Sequence, residues 1–251
     1  MPRYFIQISF DGTNYHGWQL QKNAHTVQAE LNQAMEIAFR QKIATLGCCR
    51  TDAGVHATEL FAHFNCNTNL QSIQNIVYRM NFILPKDISV QNIFPVKIDA
   101  NARFDAVSRT YKYFIHHKKN PFLVNRSYYR RIKPKVKAMN KAAQLLLKYD
   151  DFSCFSKSNA QAKSKICKIQ KAQWKYVSNQ LIFEIKADRF LRNMVRAIVG
   201  TLLEIGDSKK NLSDFKEILE SKNRSMAGFS VPACGLFLVD VKYPKSIFTK
   251  K

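Results

Sequence analysis

Residues 50–54 read Arg-Thr-Asp-Ala-Gly, and Asp52 is the residue whose setting first invites a chemical reading. A carboxylate can serve as a nucleophile or as a general base without metal or cofactor. In extended backbone, side chains two residues apart share a face, so Arg50 would stand beside Asp52 as a counter-charge. Ala53 and Gly54 leave room for a large reactant to approach. The same letters also spell an ordinary turn, in which Asp accepts backbone hydrogen bonds and Gly takes a positive φ. His56 follows on the same loop; a lone histidine is more often a packing or hydrogen-bonding residue, and no role is assigned to it.

A second charge stands out at Arg196, within Met194, Val195, Ala197, Ile198 and Val199. If residues 189–206 form one helix, Arg189, Arg192 and Arg196 fall at i, i+3 and i+7 on one face. Arg189 and Arg192 can carry their charges to solvent on long stems. A buried Arg196 needs a carboxylate or a phosphate, because an unpaired charge there is costly.

The elements that must position these residues alternate between strands and helices. "RYFIQISFDG" has the alternation of a strand, and "TVQAELNQAMEIAF" places Val27, Leu31, Ala34, Met35 and Ala38 on one helical face. Strand-like "FAHFNCN" follows, then a helix with Ile73, Ile76, Val77 and Met80 in phase, then extended "DISVQNIF". The later part opens on "RTYKYFIHH", continues with a helix carrying Met139, Ala142, Ala143 and Leu146, and returns to extended "KAQWKYVSNQLIFEIKA". It closes with the helix "RFLRNMVRAIVGTLLEIG", whose stripe is Leu191, Met194, Val195, Ile198 and Leu202, and a strand "GLFLVDVKYP". This order predicts an α+β fold with helices packed on mostly antiparallel sheet. Two halves of similar element order are expected, over residues 1–105 and 106–251.

Composition narrows the function. The chain of 251 residues is 46% hydrophobic and carries 40 Lys+Arg against 18 Asp+Glu, a net charge of +22. A foldable chain so far from neutrality argues for a polyanionic partner, nucleic acid first. No segment has the length of a signal peptide's apolar core or of a membrane helix, so a soluble, cytoplasmic protein is expected, with no membrane partner. The six cysteines show no ligand spacing, and the glycines form no phosphate-cradling loop. Neither a metal site nor a nucleotide cofactor is expected. Two basic runs lack acids: Arg126–Lys137, with six cations around Tyr128 and Tyr129, and Lys157–Lys175, with six lysines. Most charge runs are solvated surface; the missing counter-charge here favours phosphate contact.

Several blocks then occur in a fixed order: "FDGTNYHGWQLQ", "TVQAELNQAM", "RTDAGVHA", "RMNFILPKDISV", "ARFDAVSRTYKYFI", "FLRNMVRAIVGTLLEIG" and "GLFLV". Together, from Tyr4 to Tyr243, they resemble the TruA family of tRNA pseudouridine synthases. That family isomerises uridines at positions 38–40 of the tRNA anticodon stem-loop. The resemblance implies the pseudouridine synthase fold, no cofactor, tRNA as partner, and a homodimer touching one tRNA with both subunits. It matches Asp52 to the family's catalytic aspartate and Arg196 to the arginine that pairs with it in a cleft between the halves. Tyr111 matches the tyrosine that lies against the target base and is a candidate for handling the C5 proton. Arg50 matches the arginine that helps extrude the uridine, and Leu236 an apolar wall of the base pocket. Cys49 departs from the family, which usually has glycine before the arginine. Two other readings remain: a non-catalytic RNA-binding module on the same fold, and a pseudouridine synthase with a different RNA target. A generic basic structural protein would make the ordered blocks a coincidence.

Overall fold

The computed structural model describes residues 1–67, 73–157 and 164–249. The chain forms two compact units, Met1–Val107 with Leu238–Lys251, and Ser108–Phe237.

The first unit begins with β1 (Arg3–Phe10), which buries Tyr4, Phe5, Ile6, Ile8 and Phe10. Helix α1 (Val27–Phe39) starts where the Thr26 side chain accepts the Ala29 N–H, and it buries Val27, Leu31, Ala34, Met35 and Ala38, the face that periodicity assigns. A two-residue strand β2 (Leu46–Gly47) leads into β3 (His56–Asn65), α2 (Ile73–Ile83) and β4 (Ile88–Val96). β1 is the central strand of this part, antiparallel to both β3 and β4. On α2 only Ile73 and Met80 are buried; Ile76 and Val77 are half-buried.

The second unit holds β5 (Ser108–His116), the short β6 (Tyr128–Tyr129), α3 (Val136–Leu145), β7 (Ile169–Val177), β8 (Gln180–Ala187), α4 (Met194–Gly206) and α5 (Leu212–Ser221). β8 lies between β5 and β7, antiparallel to both. The extended stretch 169–187 is a hairpin whose two turn residues, Ser178 and Asn179, have φ of 46° and 67°. Two consecutive positive φ values match the twist of the flanking strands. Helix α4 is buried on almost every side, including Ala197, Val199, Leu203 and Ile205 beyond the expected stripe. Such a helix belongs inside a core rather than on its surface.

The last strand, β9 (Leu236–Lys242), returns the chain to the first unit, where it lies beside β3. The Val241 N–H donates to Glu59 at 2.8 Å and the Tyr243 hydroxyl to the Ala102 carbonyl at 2.6 Å. Residues 238–251, which follow the second half along the chain, therefore fold with the first, because their hydrogen-bond partners are there. The architecture is α+β with mostly antiparallel strands, as the element pattern predicts. No helix among the described residues is long and apolar enough to cross a membrane.

Candidate active site

Asp52 sits at the first position of a β-turn, with the Val55 N–H donating to the Asp52 carbonyl at 3.2 Å. Gly54, two residues on, has φ of 74°, the conformation a type II turn demands at that place. The turn is itself held by a second loop, residues 11–18. The Trp18 N–H donates to the Thr51 carbonyl at 3.4 Å and the Gly54 N–H to the Tyr15 carbonyl at 3.2 Å. Gly17, at φ 90°, lies so close that a Cβ there would stand 2.3 Å from the Thr51 carbonyl oxygen. Burial alternates along the loop: Thr51 is buried, while Arg50 is exposed and Asp52 half-buried. The aspartate loop is thus built by main chain pressed on main chain, with Arg50 and Ala53 exposed and Asp52 half-buried. Cys49 is absent from the residues with positive φ, so the backbone there accepts a side chain in place of glycine.

The supporting loop is anchored in turn. The Tyr15 hydroxyl donates to the Asp87 carboxylate at 2.5 Å, and the Asp11 N–H to the Asp87 carbonyl at 2.9 Å. Burial, together with this hydrogen bond to Asp87, pushes the Tyr15 phenol well above its ordinary range. His56, which is buried, accepts the Gly12 N–H on Nδ1 at 3.0 Å. It is a structural acceptor that ties the two loops together. The sequence reading overlooks Tyr15 and Gly17; a glycine in a loop with no turn partner of its own was the available signal.

In the second unit, Arg196 lies in the first turn of α4. The helix starts at Met194, five residues later than the apolar periodicity predicts. The residue before it, Asn193, is left-handed at φ 66°, which interrupts the helical trace. Residues 188–193 are drawn elsewhere: Asp188 accepts the Lys168 and Arg189 N–H groups at 2.7 Å each, and its carbonyl takes Arg109 Nη1 at 2.6 Å. Arg189 and Arg192 therefore do not share a helical face with Arg196. Nor is Arg196 buried; it is half-buried, and its Nε donates to the Val231 carbonyl at 2.7 Å.

That bond belongs to a strap, residues 227–236, lashed along α4. The Gly228 N–H donates to Thr201 Oγ1 at 2.9 Å and the Val231 N–H to the Arg196 carbonyl at 3.3 Å. Gly200 gives the strap its passage, since a Cβ there would stand 1.8 Å from the Phe229 carbonyl oxygen. The far end is fixed to β5 by the buried Tyr113, whose hydroxyl donates to the Pro232 carbonyl at 2.8 Å. Burial pushes both the Tyr113 phenol and the Cys234 thiol up, while the Arg196 charge pulls each back down. Arg196, the strap and β5 therefore form one neighbourhood. Leu236, buried, is where the strap becomes β9. Tyr111 is buried on β5 itself, its ring edge-on to Phe190 at 5.2 Å and 90°. The first unit thus carries Asp52 and Arg50 on one loop, and the second positions Tyr111, Arg196 and Leu236.

The basic runs are less unpaired than their sequence implies. Arg130 pairs with Asp207 and donates to the Ile132 carbonyl at 2.5 Å, and Lys171 pairs with Glu184 at 2.5 Å. Asp207 comes from a distant segment and Glu184 from the next strand of the same hairpin, both outside the basic runs themselves. Tyr129 is 48% exposed and tilted against His116, a surface aromatic rather than a core one. Residues 158–163 of the second run lie outside the described residues. Burial pushes the Cys154 and Cys167 thiols up to about 12, as befits core thiols.

An antiparallel α+β chain with a carboxylate loop set on a rigid turn and an arginine at a helix start defines the class to compare. The sequence model of the tRNA pseudouridine synthase family matches residues 142–244. The tRNA pseudouridine synthase A of Azobacteroides pseudotrichonymphae genomovar. CFP2 is 48% identical over 249 residues, covering 99% of each chain. That of Bacteroides fragilis is also 48% identical, over 251 residues and 99% of each chain. That of Porphyromonas gingivalis is 45% identical over 252 residues, covering 99% of this chain and all of its own. The chain belongs to the tRNA pseudouridine synthase A family.

Proposed function

We propose that this protein converts uridine to pseudouridine in tRNA, at positions 38–40 of the anticodon arm, with Asp52 as the catalytic carboxylate. One observation carries the reading: the half-buried Asp52 stands on a turn held by main-chain contacts, within a chain nearly half identical to proteins named for this reaction. The isomerisation breaks the C1′–N1 bond, turns the uracil and joins C5 to C1′. The C5 proton is lost and N1 ends with a proton, so no redox partner or energy input is needed. Asp52 serves as nucleophile or base at the sugar or ring. Arg196 is its counter-charge, and Tyr111 lies against the base and receives the C5 proton. Arg50, exposed beside the carboxylate, helps draw the uridine from its stack, and Leu236 contributes apolar wall to the base pocket. Unstacking costs a few kcal/mol, which phosphate contacts from a chain of net charge +22 offset.

The test is tritium release from tRNA labelled at uridine C5, comparing the wild type with Asp52→Ala. Release by the wild type and its loss in a variant that still binds tRNA is the expected result. Binding without release by the wild type would replace this reading with an RNA-binding module.

A further inference from the structure

The second unit contains a basic depression that none of the candidate catalytic residues lines. It has a volume of about 410 Å³ and is walled by Lys135, Lys141, Lys209 and Lys210 over Ile205 and Leu212. Lys135 is the residue that precedes α3 and Lys141 lies midway along it, and both line the hollow. Lys209 and Lys210 lie on the turn after α4, where both backbone N–H groups donate to the Glu204 carbonyl, at 2.9 and 3.3 Å. The two walls are joined, because the Lys135 N–H donates to the Gly206 carbonyl at 2.8 Å. The lysine stems therefore rise from fixed backbone around a concavity.

The nearby acids are already engaged. Asp207 pairs with Arg130, Glu204 lies 3.7 Å from Lys210, and Asp214 accepts the Asn211 N–H at 2.8 Å in a capping box. Lys135, Lys141 and Lys209 have no carboxylate partner among the described residues. Three unpaired ammonium groups around one hollow favour a polyanion that presents several phosphates at once.

The hollow is also remote from the reacting base. Ile205 lies nine residues beyond Arg196 on α4, which is about 14 Å at the helical rise. That equals roughly four stacked nucleotides at 3.4 Å each, so the phosphate of the target uridine is not what it holds.

We propose that Lys135, Lys141 and Lys209 form a docking pocket for the tRNA phosphate backbone away from the target nucleotide, a proposal that rests on tRNA being the substrate. The triple variant Lys135→Glu, Lys141→Glu, Lys209→Glu tests it, with Lys→Gln at the same positions as a milder version. The reference is a variant with Lys42, Lys97 and Lys245, all exposed in the other unit, changed to Glu. Wild-type tRNA affinity should fall with salt, and the pocket variant should flatten the log–log slope by roughly 2 to 3, near 0.9 per lost phosphate contact. KM should rise with kcat unchanged, the Gln variant should shift in the same direction by less, and the reference should keep the wild-type slope. An unchanged slope in the pocket variants, or an equal flattening in the reference, overturns the proposal. Slope is read from binding alone, so a wild type that binds tRNA but does not isomerise uridine would count against the proposed reaction and leave this comparison intact.

Discussion

The aspartate loop and the arginine strap hold their charged residues by opposite means. Around Asp52 the support is main chain on main chain: a type II turn, the Trp18 and Gly54 amides, and Gly17 at a distance that admits no side chain. Around Arg196 it is a core helix, and the residue's own Nε helps hold the strap it lies under. The aspartate is thus placed by the main chain of its loop, whereas the arginine is both a functional candidate and a structural tie. Substitution at 52 should leave the fold alone; substitution at 196 should not be wholly silent in the fold.

The largest expected effect tests that asymmetry. Arg196→Ala should lower turnover roughly a hundredfold, about 3 kcal/mol of barrier, if it serves as the proposed counter-charge, while tRNA affinity changes little. Steady-state and binding measurements on one preparation would decide it. A near-normal kcat would mean that Asp52 has a different counter-charge. Arg196→Lys keeps the charge but lacks the Nε fork and should recover only part of the rate.

A smaller effect probes the loop. Gly17→Ala forces a Cβ against the Thr51 carbonyl and a positive φ on alanine. It should cost about 2 kcal/mol in denaturant unfolding, and the folded variant should turn over more slowly because Thr51 carries Asp52 with it. Unchanged stability and rate would show that the two loops can separate without consequence.

The smallest concerns pH. Burial and Asp87 raise the Tyr15 pKa in the fold, above an unfolded value near 10, so the fold favours the protonated phenol. That contribution is complete below about pH 10 and is lost as pH rises beyond it. Tyr15→Phe should cost about 1 kcal/mol at neutral pH and soften the decline of stability above pH 10, as thermal melts across that range would report. An identical alkaline decline in both proteins would place the titrating group elsewhere, Tyr113 being the counterpart in the second unit.

Local pattern and tertiary position explain what was readable. The α1 face could be read because five apolar residues recur at helical spacing beside a capping threonine. The start of α4 was misplaced because Arg189–Arg192 suits a helix as well as a loop, and Asn193 and the partners of Asp188 decide against it. Helix α5 was overlooked although Asn211 and Asp214 spell its capping box and Phe215, Ile218 and Leu219 mark its buried face at helical spacing. The basic runs were read as lacking counter-charge because Asp207 is distant in sequence and Glu184, across the β7–β8 hairpin, lies just beyond the end of its run.

The sequence by itself determined the α+β class, the turn at Asp52 and the excess of positive charge, because alternation, turn chemistry and composition are local properties that survive any packing. Only the tertiary structure decided that loop 11–18 clamps the aspartate turn, that the strap at 227–236 lies across α4, and that residues 238–251 return to the first unit. Each of these depends on backbone groups from distant segments meeting at hydrogen-bonding distance, and no local pattern encodes which of them will meet.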